Sequence, residues 1–139
     1  MDHEAFLARV AEYHQAGWRL ALINAASVLP TDELPDGAVD VTWAFAKGAE
    51  LEKLRERVAP GGSLPSISGI FGAAFLYENE IRELFGIDVT GISVDLRGQL
   101  YKTAEKIPFA PSAIRARLEK SGTLNAAGHG PGAHGTKHA

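Results

Sequence analysis

The run Val39-Asp40-Val41-Thr42-Trp43-Ala44-Phe45 constrains this protein more than any other segment. It alternates strictly, placing the valines, tryptophan and phenylalanine on one face and aspartate, threonine and alanine on the other. A period of two describes a strand with one buried face. Ahead of it, Trp18 to Leu29 is apolar and partly alternating and stops at Pro30, which reads as a buried strand. Between them, Thr31 to Gly37 follows Pro30 and holds Pro35, Asp32, Asp36 and a closing glycine, the chemistry of a turn. Together the two strands predict a hairpin.

Helices are expected on either side. Residues 3–16 carry Phe6, Leu7, Val10 and Tyr13 or His14 at helical spacing, with Asp2 placed as N-cap and Gly17 as the stop. The spacing predicts a second helix over Phe71–Phe85, with Phe75, Leu76, Ile81, Leu84 and Phe85 apolar, Glu78 and Arg82 forming an i,i+4 ion pair, and Gly86 at the C′ position. Pro111–Lys120 makes a third, with Ile114 and Leu118 one turn apart. Pro60–Gly69 reads as an irregular loop and Ile87–Thr90 as a short extended segment. Leu51–Val58 is ambiguous: Leu51, Leu54 and Val58 sit at helical spacing among good helix formers. Residues 1–120 are expected to form one domain, and residues 121–139, rich in glycine and histidine, a tail that is disordered or extended on a partner.

Composition removes several functions. A net charge of -3, with no lysine or arginine run, argues against nucleic acid, whose phosphates require a concentrated cationic face. Without cysteine the protein has no disulfides, thiolate-held iron–sulfur cluster, Cys-ligated zinc or Cys nucleophile. The most apolar run, Leu20–Leu29, is about half of the roughly 20 residues of a helical membrane span. The acidic start, Met1-Asp2-His3-Glu4, is unlike a signal peptide, so the expected location is the cytoplasm or the cytoplasmic face of a membrane.

No catalytic constellation assembles. Gly61-Gly62 and Gly69-x-x-Gly72 lack the lysine and hydroxyl ending of a phosphate loop and the strand–glycine–helix order of a dinucleotide site. Glu78, Glu80 and Glu83 lie on one predicted helix, but Glu78 and Glu80 point about 160° apart, while Glu80 and Glu83 share a face. Three readings of these carboxylates stand open: a solvated face, an interface of ion pairs, and catalysis. His129, His134 and His138 could wrap weakly around a nickel or zinc ion, at an entropic cost that favours a plain solvated tail. No Gly-x-Ser-x-Gly elbow is present. Residue chemistry alone thus describes a small α/β module suited to binding.

The runs Leu64-Pro65-Ser66-Ile67-Ser68-Gly69-Ile70 and Tyr77-Glu78-Asn79-Glu80-Ile81-Arg82-Glu83-Leu84-Phe85-Gly86-Ile87 resemble the 30 kDa subunit family of respiratory complex I, the NADH dehydrogenase of the respiratory chain. That family carries a proline–serine loop, then a helix with Glu-Arg-Glu, a further acid, two apolar residues and glycine. Glu78 and Glu80 match the paired glutamates, Glu83 the later acid, and Leu84-Phe85-Gly86 the helix end. Ser93-Val94-Asp95-Leu96-Arg97 keeps the last three residues of the family's His-Pro-Asp-Leu-Arg, and Asn79 stands in place of its arginine. These departures resemble the short relatives in energy-converting, membrane-bound (Ech-type) nickel–iron hydrogenases.

The resemblance implies an α/β (α+β) fold: an N-terminal helix, a mixed or antiparallel sheet of about three to four strands, and a helix carrying the glutamates. It also implies that Leu51–Val58 is a strand, reached by a turn at Lys47-Gly48-Ala49, and we adopt that reading over the helical one. The implied role is a cofactor-free peripheral subunit on the cytoplasmic side of the cell membrane, not catalytic alone. It would brace a large nickel–iron hydrogenase-type subunit beside an iron–sulfur subunit and reach the membrane subunits through the complex, with the nickel–iron centre and iron–sulfur clusters in those partners. The resemblance places the subunit interface at Tyr77, Glu78, Glu80, Glu83, Leu84, Phe85, Gly86, Asp95 and Arg97. In that interface Glu78, Glu80, Glu83 and Arg97 would supply ion pairs, Asp95 would support its loop, and Tyr77, Leu84 and Phe85 would pack. The 30 kDa-type subunit of an NADH or ferredoxin:quinone oxidoreductase is the alternative, and a free-standing enzyme using the three glutamates a remote one.

Overall fold

The structure is a computed structural model that describes residues 1–101 and 106–122. The expectation for His129, His134 and His138, and most of that for the tail, falls outside the described residues. The element order is α1 (His3–Gln15), β1 (Arg19–Val28), β2 (Ala38–Lys47), β3 (Glu50–Val58), β4 (Ser63–Pro65), α2 (Ala74–Phe85), β5 (Asp88–Thr90) and α3 (Pro111–Lys120).

β1, β2 and β3 form an antiparallel meander, with β2 in the centre. The alternation along β2 is realised as read: Val39, Val41, Trp43 and Phe45 are buried, and Phe6 and Tyr13 of α1 lie on Trp43 and Phe45 with ring centroids 4.7 and 4.3 Å apart. α1 starts as expected, with Asp2 Oδ1 accepting the Ala5 N–H at 3.1 Å. The ambiguity over Leu51–Val58 resolves to strand, so the helical pattern misleads there. Facing positions on β2 dictate the outcome, since Leu54 pairs with Trp43 and Val58 with Val39 on the buried face.

Two local expectations need correction. Pro60–Gly69 is not wholly irregular, because Ser63–Pro65 forms β4 and pairs in parallel with β5. The second helix begins at Ala74 instead of Phe71, as Phe71 sits in a turn whose N–H donates to the Ile67 carbonyl at 2.8 Å. Phe71 instead packs 5.4 Å from Phe45, so the β4 region closes the same core as α1.

α2 lies beside β1. The register of β1 shifts between Leu20 and Leu22, a bulge that leaves Ala21 without a β2 partner. The Tyr77 hydroxyl donates to the Ala21 carbonyl at 3.4 Å. Beyond α2, the Phe109 N–H donates to the Leu84 carbonyl at 2.7 Å, and the Ser27 hydroxyl donates to the Phe109 carbonyl, which ties the approach to α3 to both α2 and β1. Among the described residues no helix is long and apolar enough to cross a membrane.

Candidate functional site: the glutamate helix and its loops

Ala74, Ile81 and Leu84 form the buried stripe of α2, and Glu78 falls on it, one turn from Ala74 and three residues before Ile81. The solvated-face reading therefore fails for Glu78, which is 3% exposed. Its Oε1 accepts the Ile67 N–H at 2.9 Å, while its buried Oε2 has no hydrogen-bond partner among the described residues. Burial pushes the carboxyl above the usual carboxylate range, opposed by the Ser66 hydroxyl and the N–H groups of Ile67 and Ser68. The expected Glu78–Arg82 ion pair does not form, because Glu78 turns inward to the Pro65–Ser68 loop and Arg82 turns to Asp95.

That loop is linked onward. The Ser66 and Ser68 hydroxyls are 2.7 Å apart, and Ser68 Oγ accepts the Ser93 N–H at 2.8 Å. Glu78, the serine loop and the 93–97 segment thus form one connected polar network.

Asn79 is the residue that sequence reasoning undervalued. It is fully buried and uses its amide fully: Nδ2 donates to the Phe75 and Val94 carbonyls at 2.7 and 2.8 Å, and Oδ1 accepts from the Leu96 N–H at 2.9 Å and from Arg82 at 3.0 Å. The signal was available in the helical stripe, since Asn79 adjoins Glu78 one turn after Phe75.

Arg82 extends the network, donating to both carboxylate oxygens of Asp95. The guanidinium holds the Asp95 carboxyl below its usual range, helped by the Arg97 N–H, which reaches Asp95 Oδ1 at 2.7 Å. Arg97 is exposed and adopts a left-handed backbone, φ 53°, uncommon for a residue with a Cβ.

Glu80 and Glu83 share a face, as the helical arithmetic predicts, and both meet Tyr101. Glu83 accepts the Leu100 and Tyr101 N–H groups at 2.8 and 2.9 Å, and Glu80 accepts the Tyr101 hydroxyl at 3.0 Å. That hydrogen bond raises the phenol pKa of Tyr101. Arg82, Glu83, Asp95, Arg97, Tyr101 and Lys106 line a cleft of about 600 Å³.

The remaining expected residues lie at the helix flanks. Tyr77 is half-buried toward β1, Leu84 is buried, and Phe85 is half-buried with its ring 5.6 Å from Phe109. Gly86 ends the helix at φ 72°, its N–H donating to the Arg82 carbonyl. The structure therefore gathers Glu80, Glu83, Asp95 and Arg97 near one rim and separates Glu78 from them. Glu78 meets a donor from the loop before α2, and Glu80 and Glu83 meet donors from the 100–101 segment after it, an arrangement that positions both stretches on one helix. Among the described residues no group of three or more His, Asp or Glu side chains could hold a metal ion.

The protein shares its fold with a subunit in the structure of the membrane-bound sulfane sulfur reductase, an archaeal respiratory membrane complex. The two are 12% identical with a TM-score of 0.53, over 86% of this chain and 75% of that one. No curated protein matches closely enough to count as a relative. Residues 3–111, which span the whole site from α1 to the start of α3, match the sequence model of the respiratory-chain NADH dehydrogenase 30 kDa subunit. By that match the protein belongs to the 30 kDa subunit family of respiratory-chain NADH dehydrogenase.

Proposed function

We propose that this protein is a cofactor-free peripheral subunit of a membrane-bound, energy-converting nickel–iron hydrogenase, in which it braces the large catalytic subunit next to an iron–sulfur subunit on the cytoplasmic face. The observation that carries the reading is the use made of α2. Glu78, Asn79 and Glu83 anchor the Ile67, Val94–Leu96 and Leu100–Tyr101 backbones, which builds a fixed rim of loops around one helix. Polar groups tied up in this way hold a shape, and a preshaped surface binds a partner at a lower ordering cost.

Within that interface Glu80, Asp95, Arg97, Tyr77 and Phe85 would meet the partner, while Glu78, Glu83, Leu84 and Gly86 support them from within the fold. Asn79 in place of the family arginine and Ser93-Val94 in place of His-Pro favour the hydrogenase branch. The family's own description favours a second reading, a subunit of an NADH or ferredoxin:quinone oxidoreductase. A free-standing enzyme would need carboxylates open to substrate, and Glu78 and Glu83 already accept backbone N–H groups.

Mild detergent extraction of the tagged protein from native membranes, followed by metal analysis, tests this. Nickel together with iron supports the hydrogenase assignment. Iron without nickel, accompanied by quinone-dependent activity, moves the protein to the quinone oxidoreductase. Recovery as a lone monomer overturns the subunit reading, whereas unchanged recovery of the large subunit with Glu80→Ala overturns the interface role given to Glu80.

A further inference from the structure

The meander buries one face beneath α1, and no described element covers the other. On that outer face the register sets Leu22, Ala44 and Lys53 in one row and Asn24, Thr42 and Arg55 in the next, with Leu51 opposite Ala46 at one end. Tyr77 and Glu80 of α2 form the rim on the β1 side, enclosing a cleft of about 600 Å³. Leu22 is 42% exposed and Leu51 56%, both on this uncovered face.

β3 sorts its charge by face. Glu52, paired with Phe45, points to α1 and accepts the Tyr13 hydroxyl at 2.6 Å, and Glu50 and Glu56 share its alternation. Lys53, Arg55 and Arg57 alternate to the outer face. Arg57 is taken by Asp40 at 2.7 Å, but Lys53 and Arg55 have no ion-pair partner among the described residues. Glu80, the one carboxylate lining the cleft among the described residues, already accepts the Tyr101 hydroxyl.

We propose that this cleft docks an acidic segment of a partner subunit, whose carboxylates meet Lys53 and Arg55 and whose apolar side chains fill the space between Leu22 and Leu51. Charge selects this occupant over the others. Residues 123–139 contain no aspartate or glutamate and carry Lys137, so they have the wrong sign. A second copy on a two-fold axis would bring cationic rows together. An anionic lipid surface is met by clusters of about 4–8 cations, and a concave site with Lys53 and Arg55 offers far less.

The proposal rests on the reading of the protein as a subunit of a complex, and its test separates the two. Because the sequence has no cysteine, Leu51→Cys introduces its sole thiol. In native membranes holding the full complex, this thiol is labelled with a benzophenone maleimide, illuminated, and the cross-linked peptide is sequenced by mass spectrometry. The expected product joins Leu51→Cys to a peptide of another subunit with aspartate or glutamate beside the attachment point. Its yield should fall about tenfold when Lys53→Glu and Arg55→Glu are combined, and about twofold or less with Lys53→Arg and Arg55→Lys. Unchanged thermal unfolding of the charge variants excludes misfolding as the cause. Attachment to residues 123–139, a second copy, lipid or a peptide without acids overturns the proposal, as does a yield indifferent to charge. If the complex co-purifies and no product forms, the docking proposal fails alone. If no subunit accompanies the protein, both readings fail.

Discussion

Glu78 Oε1 accepts the Ile67 N–H at 2.9 Å inside the core, while its second oxygen is buried without a partner among the described residues. A helix residue is thereby bonded to the loop that leads from β4 into the turn at Phe71. An unpaired carboxylate oxygen in such a place is tolerated most easily when the group is neutral, and this fixes the sign of a pH effect.

Burial raises the Glu78 pKa from its ordinary value of 4.5, so the folded state binds its proton more tightly than the unfolded state does. The resulting stability is fully present below the unfolded value and is lost as pH rises through the folded one. Glu78→Gln cannot ionise. Its stability relative to the parent should therefore increase as pH rises from about 4.5 to 7 in paired urea titrations. Asp40 and Asp95, both lowered by arginine, slope the other way at lower pH and cancel in the difference. A constant offset between the two proteins across this range would refute a buried, proton-holding Glu78.

Asn79→Leu keeps the branched shape, at a larger volume, and removes every hydrogen bond of the amide. The Val94 carbonyl and Leu96 N–H lose their partner, and the cost should be about 2–3 kcal/mol. Hydrogen exchange at the Leu96 amide should accelerate more than exchange in β2. Uniform acceleration across the protein would show that Asn79 acts on global stability without special hold on this loop.

At Arg97 the contribution of backbone strain is separable from that of the guanidinium. Glycine adopts φ 53° without a Cβ penalty, so Arg97→Gly should leave folding stability unchanged or raise it by up to about 1 kcal/mol. Recovery of the large subunit should nevertheless fall if the guanidinium meets a partner. Loss of both stability and recovery would mean that Arg97 serves the fold.

Gly86→Ala faces two obstacles. The residue sits at φ 72°, and an added Cβ would stand 3.0 Å from Ile107 Cγ2. A cost of about 1–2 kcal/mol in chemical denaturation is expected. Gly86→Ala combined with Ile107→Ala should recover the steric part and leave the conformational part. No recovery in the double variant would assign the whole cost to φ.

The β1–β2 hairpin and the helix before it were legible because their signals are local. Alternation in Val39–Phe45, the prolines before it and the cap at Asp2 each act within a few residues. Leu51–Val58 was different, because Leu51, Leu54 and Val58 satisfy a helical period. As a strand, the same residues send Leu54 and Val58 inward and Leu51 outward. Only the pairing with Trp43 and Val39 decides between those periods, and that pairing is a contact between strands. β4 and β5 are three residues each and pair across the whole of α2, too short for any local pattern to announce.

Local pattern and motif were enough to specify the helix–hairpin beginning, the acidic helix with Glu80 and Glu83 on one face, and the family. Which carboxylate goes inside was settled by long-range packing. Glu78, Glu80 and Glu83 are the same residue type on one helix, yet Glu78 is rotated onto the stripe shared with Ala74 and Ile81. Its burial depends on a loop N–H arriving at 2.9 Å to offset desolvation. That N–H comes from Ile67, placed by β4 against β5, so the state of the glutamate is decided by segments lying on both sides of its helix.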